Sequence, residues 1–152
     1  EKLRKGQVDA TILALAGLKR LKLEHEVASF IETDVMLPAA AQGIVGIEMR
    51  DKDFEWHRYF DPLHCAVTGL CAAAERAALQ TLNGSCHTPI GAFATVQGGQ
   101  MKLDVVVLSP DGKQMYREGR STAIATVAQA RDLGVELGSA LKDRVPAELL
   151  AA

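Results

Sequence analysis

Pro89-Ile-Gly-Ala-Phe-Ala-Thr-Val-Gln-Gly-Gly-Gln-Met-Lys-Leu-Asp-Val-Val-Val-Leu-Ser-Pro-Asp-Gly112 is the stretch that decides the fold. Two apolar, partly β-branched runs, residues 89–96 and 101–108, flank Gly98-Gly99, a pair that accepts the left-handed backbone of a two-residue hairpin turn. Ser109-Pro-Asp-Gly112 is a second turn signal: proline presets φ, aspartate bonds to its own turn and glycine closes it. A third strand is expected over 113–119, so the stretch reads as an antiparallel meander with tight turns at 97–100 and 109–112.

On either side the period changes from two to that of a helix. Leu63, Val67, Leu70, Ala74, Ala78 and Leu82 line one face of an amphipathic helix over 62–82, with Gly84 as the natural stop signal. Downstream, Ile124, Val127, Ala130, Leu133, Leu137 and Leu141 mark a closing helix over 122–144. Helix, three strands and helix make an α+β unit of roughly 100 residues.

The first third has a different texture. Asp9-Ala-Thr-Ile-Leu-Ala-Leu15 reads as a short strand buried on both faces, as in a parallel sheet, with a helix over 16–23 after it. A parallel strand needs neighbours. The other strands of its sheet are therefore expected in sequence that is not part of this chain, and the chain reads as a fragment. Residues 26–31 suggest a further helical turn or two, 36–43 a loop punctuated by Pro38 and Gly43, 44–49 a strand, and 50–53 a charged linker.

Composition narrows the function classes. With 48% hydrophobic and 24% charged residues of mixed sign, the 152-residue chain can bury a core and is not disordered in character. Its 17 Lys+Arg against 19 Asp+Glu give a net charge of −2, which argues against a nucleic-acid partner and means that an anionic ligand needs a local basic site. Apolar stretches such as 11–18 and 38–41 are too short to span a bilayer, so no membrane partner is expected. No basic-then-apolar leader opens the chain, so a cytoplasmic address is the default, with a plastid possible if a transit peptide lies upstream.

The 3 cysteines, Cys65, Cys71 and Cys86, have no CxxC spacing and fit neither a disulfide framework nor a zinc finger. Cys65 and Cys71 lie about 120° apart around a helix and read as small buried or half-buried hydrophobes. His64 and His87 adjoin cysteines, but the set Cys65, Cys71, Cys86 and His87 matches no metal-ligand spacing, and no metal is expected. Cys86 lies on a helix-to-strand loop between Gly84 and Pro89, where small residues leave room for a bulky group near the backbone.

Glu75-Arg-Ala-Ala-Leu-Gln-Thr-Leu-Asn-Gly-Ser-Cys86-His-Thr-Pro-Ile-Gly-Ala92 resembles the signature around the cofactor-bearing cysteine of the porphobilinogen deaminase (hydroxymethylbilane synthase) family. Residues 9–20, ending Ala16-Gly-Leu-Lys-Arg20, are similar to the family's central-domain strand and helix, and Leu37-Pro-Ala-Ala-Ala-Gln-Gly-Ile-Val-Gly-Ile-Glu48 to its crossover segment. The resemblance implies an α/β plus α+β architecture: two doubly wound lobes like those of periplasmic binding proteins, then a small α+β domain with a three-stranded antiparallel sheet. On that plan residues 1–36 end the second lobe, 37–53 cross back to the first, and 54–152 form the domain that carries the cofactor.

The resemblance also implies a chemistry. Such a transferase condenses four porphobilinogens head to tail, releasing ammonia, onto a covalent dipyrromethane cofactor, in tetrapyrrole (heme, chlorophyll) biosynthesis. Its partners would be porphobilinogen and the N-terminal half of the same enzyme, in a monomer. Cys86 would hold the cofactor through a thioether, a link that does not hydrolyse and that a strong sulfur nucleophile can form. Arg20 would clamp acetate or propionate groups through paired hydrogen bonds, and Gln42 would bond a pyrrole carboxylate. The family's catalytic aspartate and most of its carboxylate-binding basic residues would precede Glu1, leaving no catalytic residue within this chain and making the segment alone inactive. Glu75 and Arg76, adjacent on a helix and pointing different ways, read as structural pins. The competing reading is a non-catalytic ligand-binding or interaction module, with a thiol-redox or zinc module more remote.

Overall fold

In the computed structural model, which describes residues 2–85 and 87–150, Gly98 and Gly99 take φ of +57° and +76°. They occupy the centre of the tight turn between β1 (Ile90–Gln97) and β2 (Gln100–Leu108). β2 then pairs with β3 (Met115–Ala123), and the sheet order is β1-β2-β3 with both pairings antiparallel. The second turn closes with Gly112 N–H donating to the Ser109 carbonyl at 2.9 Å, Gly112 itself having φ of +69°. Both hairpins stand as expected from the glycines.

The third strand differs from its expected bounds. It starts at Met115 and continues to Ala123, because β2 offers it a ladder as far as Gln100↔Ala123. Thr122 and Ala123, expected to open the last helix, therefore belong to the sheet. Helix α4 (Val127–Lys142) begins later, at a reciprocal cap in which the Thr126 hydroxyl accepts from Gln129 N–H and the Gln129 side chain accepts from Thr126 N–H.

The core lies between one sheet face and two helices, α3 (Ala66–Thr81) and α4. Met101, Leu103, Val105 and Val107 alternate inward from β2 and meet Ala74, Ala78 and Leu82 on one side and Leu133, Leu137 and Leu141 on the other. Each large apolar side chain so buried contributes about 1.5–3 kcal/mol. The two helices touch backbone to backbone. A Cβ on Gly134 would stand 2.9 Å from Ala77 Cβ and 3.0 Å from Ala78 N, and one on Gly138 2.8 Å from Thr81 Cβ. Alanines on α3 facing glycines on α4 are what permit this approach.

Helix α3 starts four residues later than expected. Before it lie α2 (His57–Phe60) and a 3-10 turn, Asp61–Leu63, where Pro62 lacks the N–H that a continuous helix requires. Its end also differs in detail. Gly84 N–H donates to Leu79 O and Asn83 N–H to Gln80 O, the paired bonds of a left-handed cap, and the left-handed residue is Asn83 at φ +54° rather than Gly84. Gly84 is needed for room: a Cβ there would run into the Leu79 side chain and stand 2.7 Å from Ile90 Cδ1. A last short helix, α5 (Ala147–Leu150), follows α4.

The chain divides into two compact units, Glu1–Glu32 and Thr33–Ala152. The first contains α1 (Leu15–Arg20) and a 3-10 turn, Glu24–Glu26, with Arg4 Nη2 donating to Glu26 Oε1 at 2.8 Å. The strand expected over 9–15 is not formed: among the described residues, 10–14 join no β-ladder, and Ile12 is 67% exposed. The helix expected over 16–23 is the shorter α1, stopped where Lys22 turns left-handed at φ +57°, and 26–31 adds only the end of the 3-10 turn. In the second unit, 44–49 likewise forms no ladder and Val45 is 88% exposed. The reason is the same in both places. A strand exists only as a pairing, and among the described residues neither segment has a neighbour to supply one.

Candidate functional site

The second unit brings three sequence elements to one edge of the sheet. β1 is an edge strand, yet its outer amides at Ala92 and Ala94 are not left open. Ala92 N–H donates to the Pro38 carbonyl at 2.9 Å, and a Cβ on Gly91 would lie 3.0 Å from Leu37 Cβ and 3.1 Å from Leu37 O. Glycine at 91 thus lets the 37–43 segment lie against β1.

Glu75 completes the attachment from the middle of α3. It is 3% exposed, and its two oxygens are divided: Oε2 accepts Ala41 N–H and Oε1 accepts Ala94 N–H, each at 2.7 Å. Burial pushes its carboxyl above the usual glutamate range, against the opposing pull of these two amides. The bond to Ala41 also holds that residue in a left-handed conformation, φ +61°, uncommon for alanine. The pinning role read from the sequence holds for Glu75, which now has named partners; Arg76, read as a pin beside it, is exposed and makes no such tie among the described residues.

Gln42 follows directly after this anchor, its N–H donating to Ala39 O at 3.0 Å and its side chain exposed. Cys86 lies outside the described residues. Its neighbours Ser85 and His87 are exposed, whereas Thr88 is buried. The turn is tied by hydroxyls: Thr88 Oγ1 accepts Ser85 N–H and Ser85 Oγ accepts His87 N–H, both at 3.1 Å. Sequence reading passed over Ser85 and Thr88, although small hydroxyl residues flanking a loop are a known turn signal. Arg20 is the last residue of α1, exposed, and belongs to the first unit.

Of the other two cysteines, Cys71 is buried as expected and its thiol is pushed up, first by burial and then by the Glu75 charge. Cys65 is not buried. It stands in the open at the position before α3, without a side-chain cap bond, where the Thr68 hydroxyl and then the Thr68 N–H hold its thiol below the ordinary value. No group of three or more His, Cys, Asp or Glu that could hold a metal occurs among the described residues. No helix there is long and apolar enough to cross a membrane.

On the outer sheet face Lys102 and Arg117 both turn to Asp104, at 3.1 and 3.2 Å, and Arg117 also donates to the Asp34 carbonyl. They border a shallow cavity of about 160 Å³ that includes Leu37, Phe93 and Thr95. Asp34 and Asp104 together balance the two cations there, so the cavity has no net positive charge to draw a carboxylate ligand.

Fold and loop together define a class: a small α+β domain, three antiparallel strands under two helices, with a cysteine loop leading into an edge strand that a second segment covers. Residues 69–143 match the family model for the porphobilinogen deaminase C-terminal domain, and residues 1–58 that for the porphobilinogen deaminase dipyromethane cofactor binding domain. The chain is 45% identical over 148 residues to the porphobilinogen deaminase of Phenylobacterium zucineum (strain HLK1), a similarity covering 93% of this chain and 45% of that relative. The chain belongs to the porphobilinogen deaminase family and spans less than half the length of the curated relative it matches.

Proposed function

We propose that this chain is the C-terminal part of a hydroxymethylbilane synthase, a transferase that joins four porphobilinogens head to tail on a dipyrromethane primer, and that Cys86 is the primer's covalent anchor. The observation that carries the reading is the match to both family domains, with the cysteine in the loop between α3 and β1. The residues fit the group. A thiol is the right donor for a bond that must not hydrolyse, and the exposed Ser85 and His87 leave room for two pyrroles.

When bound, the primer supplies the free pyrrole carbon at which each condensation occurs. Cys86 would hold the primer through a C–S bond, the aminomethyl C–N bond breaking as it forms and ammonia leaving with the proton the thiol gives up. The anchor at 86 and the match to a cofactor-binding domain at 1–58 fall in different segments. Arg20 would clamp acetate or propionate side chains, and Gln42, placed by the Glu75–Ala41 bond, would donate to a carboxylate.

The finer architecture belongs to the same proposal: residues 1–36 closing a lobe like that of a periplasmic binding protein, 37–53 crossing to its partner lobe, and 54–152 forming the third domain. The unpaired segments at 9–15 and 44–49 suit strands whose sheets are completed by other parts of a longer protein. A cytoplasmic monomer acting on porphobilinogen completes the reading.

Peptide mass spectrometry on the intact protein, from cells that make porphobilinogen, tests it. Two linked pyrroles are expected on Cys86, with Cys65 and Cys71 as free thiols, and Cys86→Ser should lack both the adduct and the colour with Ehrlich's reagent. An adduct on Cys65 or Cys71, or a fully active Cys86→Ser protein, would sink the assignment.

A further inference from the structure

A covalent anchor has two conflicting needs. Its backbone must be fixed, so that the thiol meets the incoming carbon in one geometry, yet its surroundings must stay open to admit a bulky group. Packing side chains around the residue would meet the first need and defeat the second. Residues 84–90 show another solution.

The entry to the turn is fixed by Gly84, wedged between Leu79 and Ile90 and bonded to the Leu79 carbonyl at 2.9 Å. The exit is fixed by Thr88, 7% exposed, whose carbonyl accepts Ile90 N–H at 2.8 Å as β1 begins. Between these ends the two hydroxyls cross. Thr88 Oγ1 accepts Ser85 N–H at 3.1 Å, Ser85 Oγ accepts His87 N–H at 3.1 Å, the hydroxyls lie 3.3 Å apart, and Thr88 N–H returns to Ser85 O at 3.2 Å. The backbone donors on either side of position 86 are thus held by the turn's own short side chains, while Ser85 and His87 remain exposed.

Resting on the reading of Cys86 as the primer's anchor, we propose that Ser85 and Thr88 are positioning residues whose crossed hydroxyls fix the backbone amides of Ser85 and His87, on either side of the anchor, for thioether formation. Their contribution is to order the loop beforehand, so that this ordering is not charged against bond formation.

The test uses the intact protein freed of cofactor, mixed with porphobilinogen, with the gain in mass on Cys86 followed over time. Thr88→Val keeps the shape but removes the acceptor, and should slow attachment about tenfold, the equivalent of about 1.4 kcal/mol. Ser85→Ala should slow it in the same direction. Thr88→Ser, which restores a hydroxyl, should return the rate to within about twofold of the parent. Alkylation of Cys86 by iodoacetamide supplies a second readout in the same cofactor-free proteins, and melting temperatures separate positioning from loss of fold. Should Thr88→Val unfold, the exposed Ser85→Ala decides. Parent-like attachment in folded Thr88→Val and Ser85→Ala overturns the proposal while leaving the anchor reading intact. Absence of any adduct on Cys86 in the parent overturns the anchor reading and this proposal with it.

Discussion

Replacing Glu75 asks how much of the domain's stability passes through one buried carboxylate. Its two 2.7 Å bonds reach Ala41 and Ala94, 34 and 19 residues away in the chain. Glu75→Ala would leave both amides without their acceptor, at about 1–3 kcal/mol each where they are buried. It would also relieve the burial that raises the carboxyl's pKa. These oppose, and the net expectation is a loss of about 2–4 kcal/mol. For a unit of this size that lowers the melting temperature by roughly 6–15 °C. Glu75→Gln keeps one acceptor but turns an amide NH2 toward the other N–H, and should cost about half as much.

The assay is thermal or urea unfolding followed by circular dichroism, with hydrogen exchange at Ala41 and Ala94 as the local readout. Both amides should exchange faster in either variant. The pH dependence has a definite sign. Because the folded carboxyl titrates above its unfolded value, the native state binds the extra proton in the window between the two. The Glu75 contribution is therefore fully present below the unfolded value and is lost as pH rises through the folded one. The stability advantage of the parent over Glu75→Gln should widen as pH falls through the raised folded value toward the unfolded one. A Glu75→Ala protein melting within about 2 °C of the parent, or an advantage that narrows with acid, would refute this account.

Gly134→Ala should destabilise the domain by about 2–3 kcal/mol, read from urea unfolding, because its methyl must displace Ala77 and the α3 backbone. Asn83→Gly should leave stability unchanged or raise it by a few tenths of a kcal/mol, since glycine takes the left-handed cap without strain. Gly84→Ala should lower it by roughly 1–3 kcal/mol through the clash with Leu79 and Ile90; a reversed order of these two would contradict the cap geometry. If Arg20 is the proposed carboxylate clamp, Arg20→Leu in the full-length protein should weaken substrate or intermediate binding by about 1.5–3 kcal/mol without changing the melt, and unchanged elongation kinetics would return Arg20 to an ordinary exposed helix residue.

The meander was legible because its signals are local. Period-two burial in β2 and Gly98-Gly99 specify a hairpin without reference to the rest of the chain. β3 was read too short because Arg120, Ser121 and Thr122 carry no apolar pattern, and the ladder with β2, not their own preference, extends the strand. Asp9–Leu15 failed for the converse reason: its apolar run matches a buried strand, but burial needs a neighbour that these residues do not have here. In the candidate site the cysteine motif was plain in the sequence. The ties around it were not, since Glu75 and Thr88 bond to backbone amides, and a backbone amide leaves no mark in the order of side chains.

The covering of β1 by 37–43 bears on how this domain behaves when cut. Pro38 and Glu75 occupy donors that an edge strand otherwise offers to any extended chain it meets. A version trimmed to begin at residue 54 would keep Glu75 and the whole sheet but uncover the Ala92 amide and the gap beside Gly91. Its monomers would then carry an open template for strand addition, and their solubility would fall with concentration in a way that restoring residues 37–43 reverses.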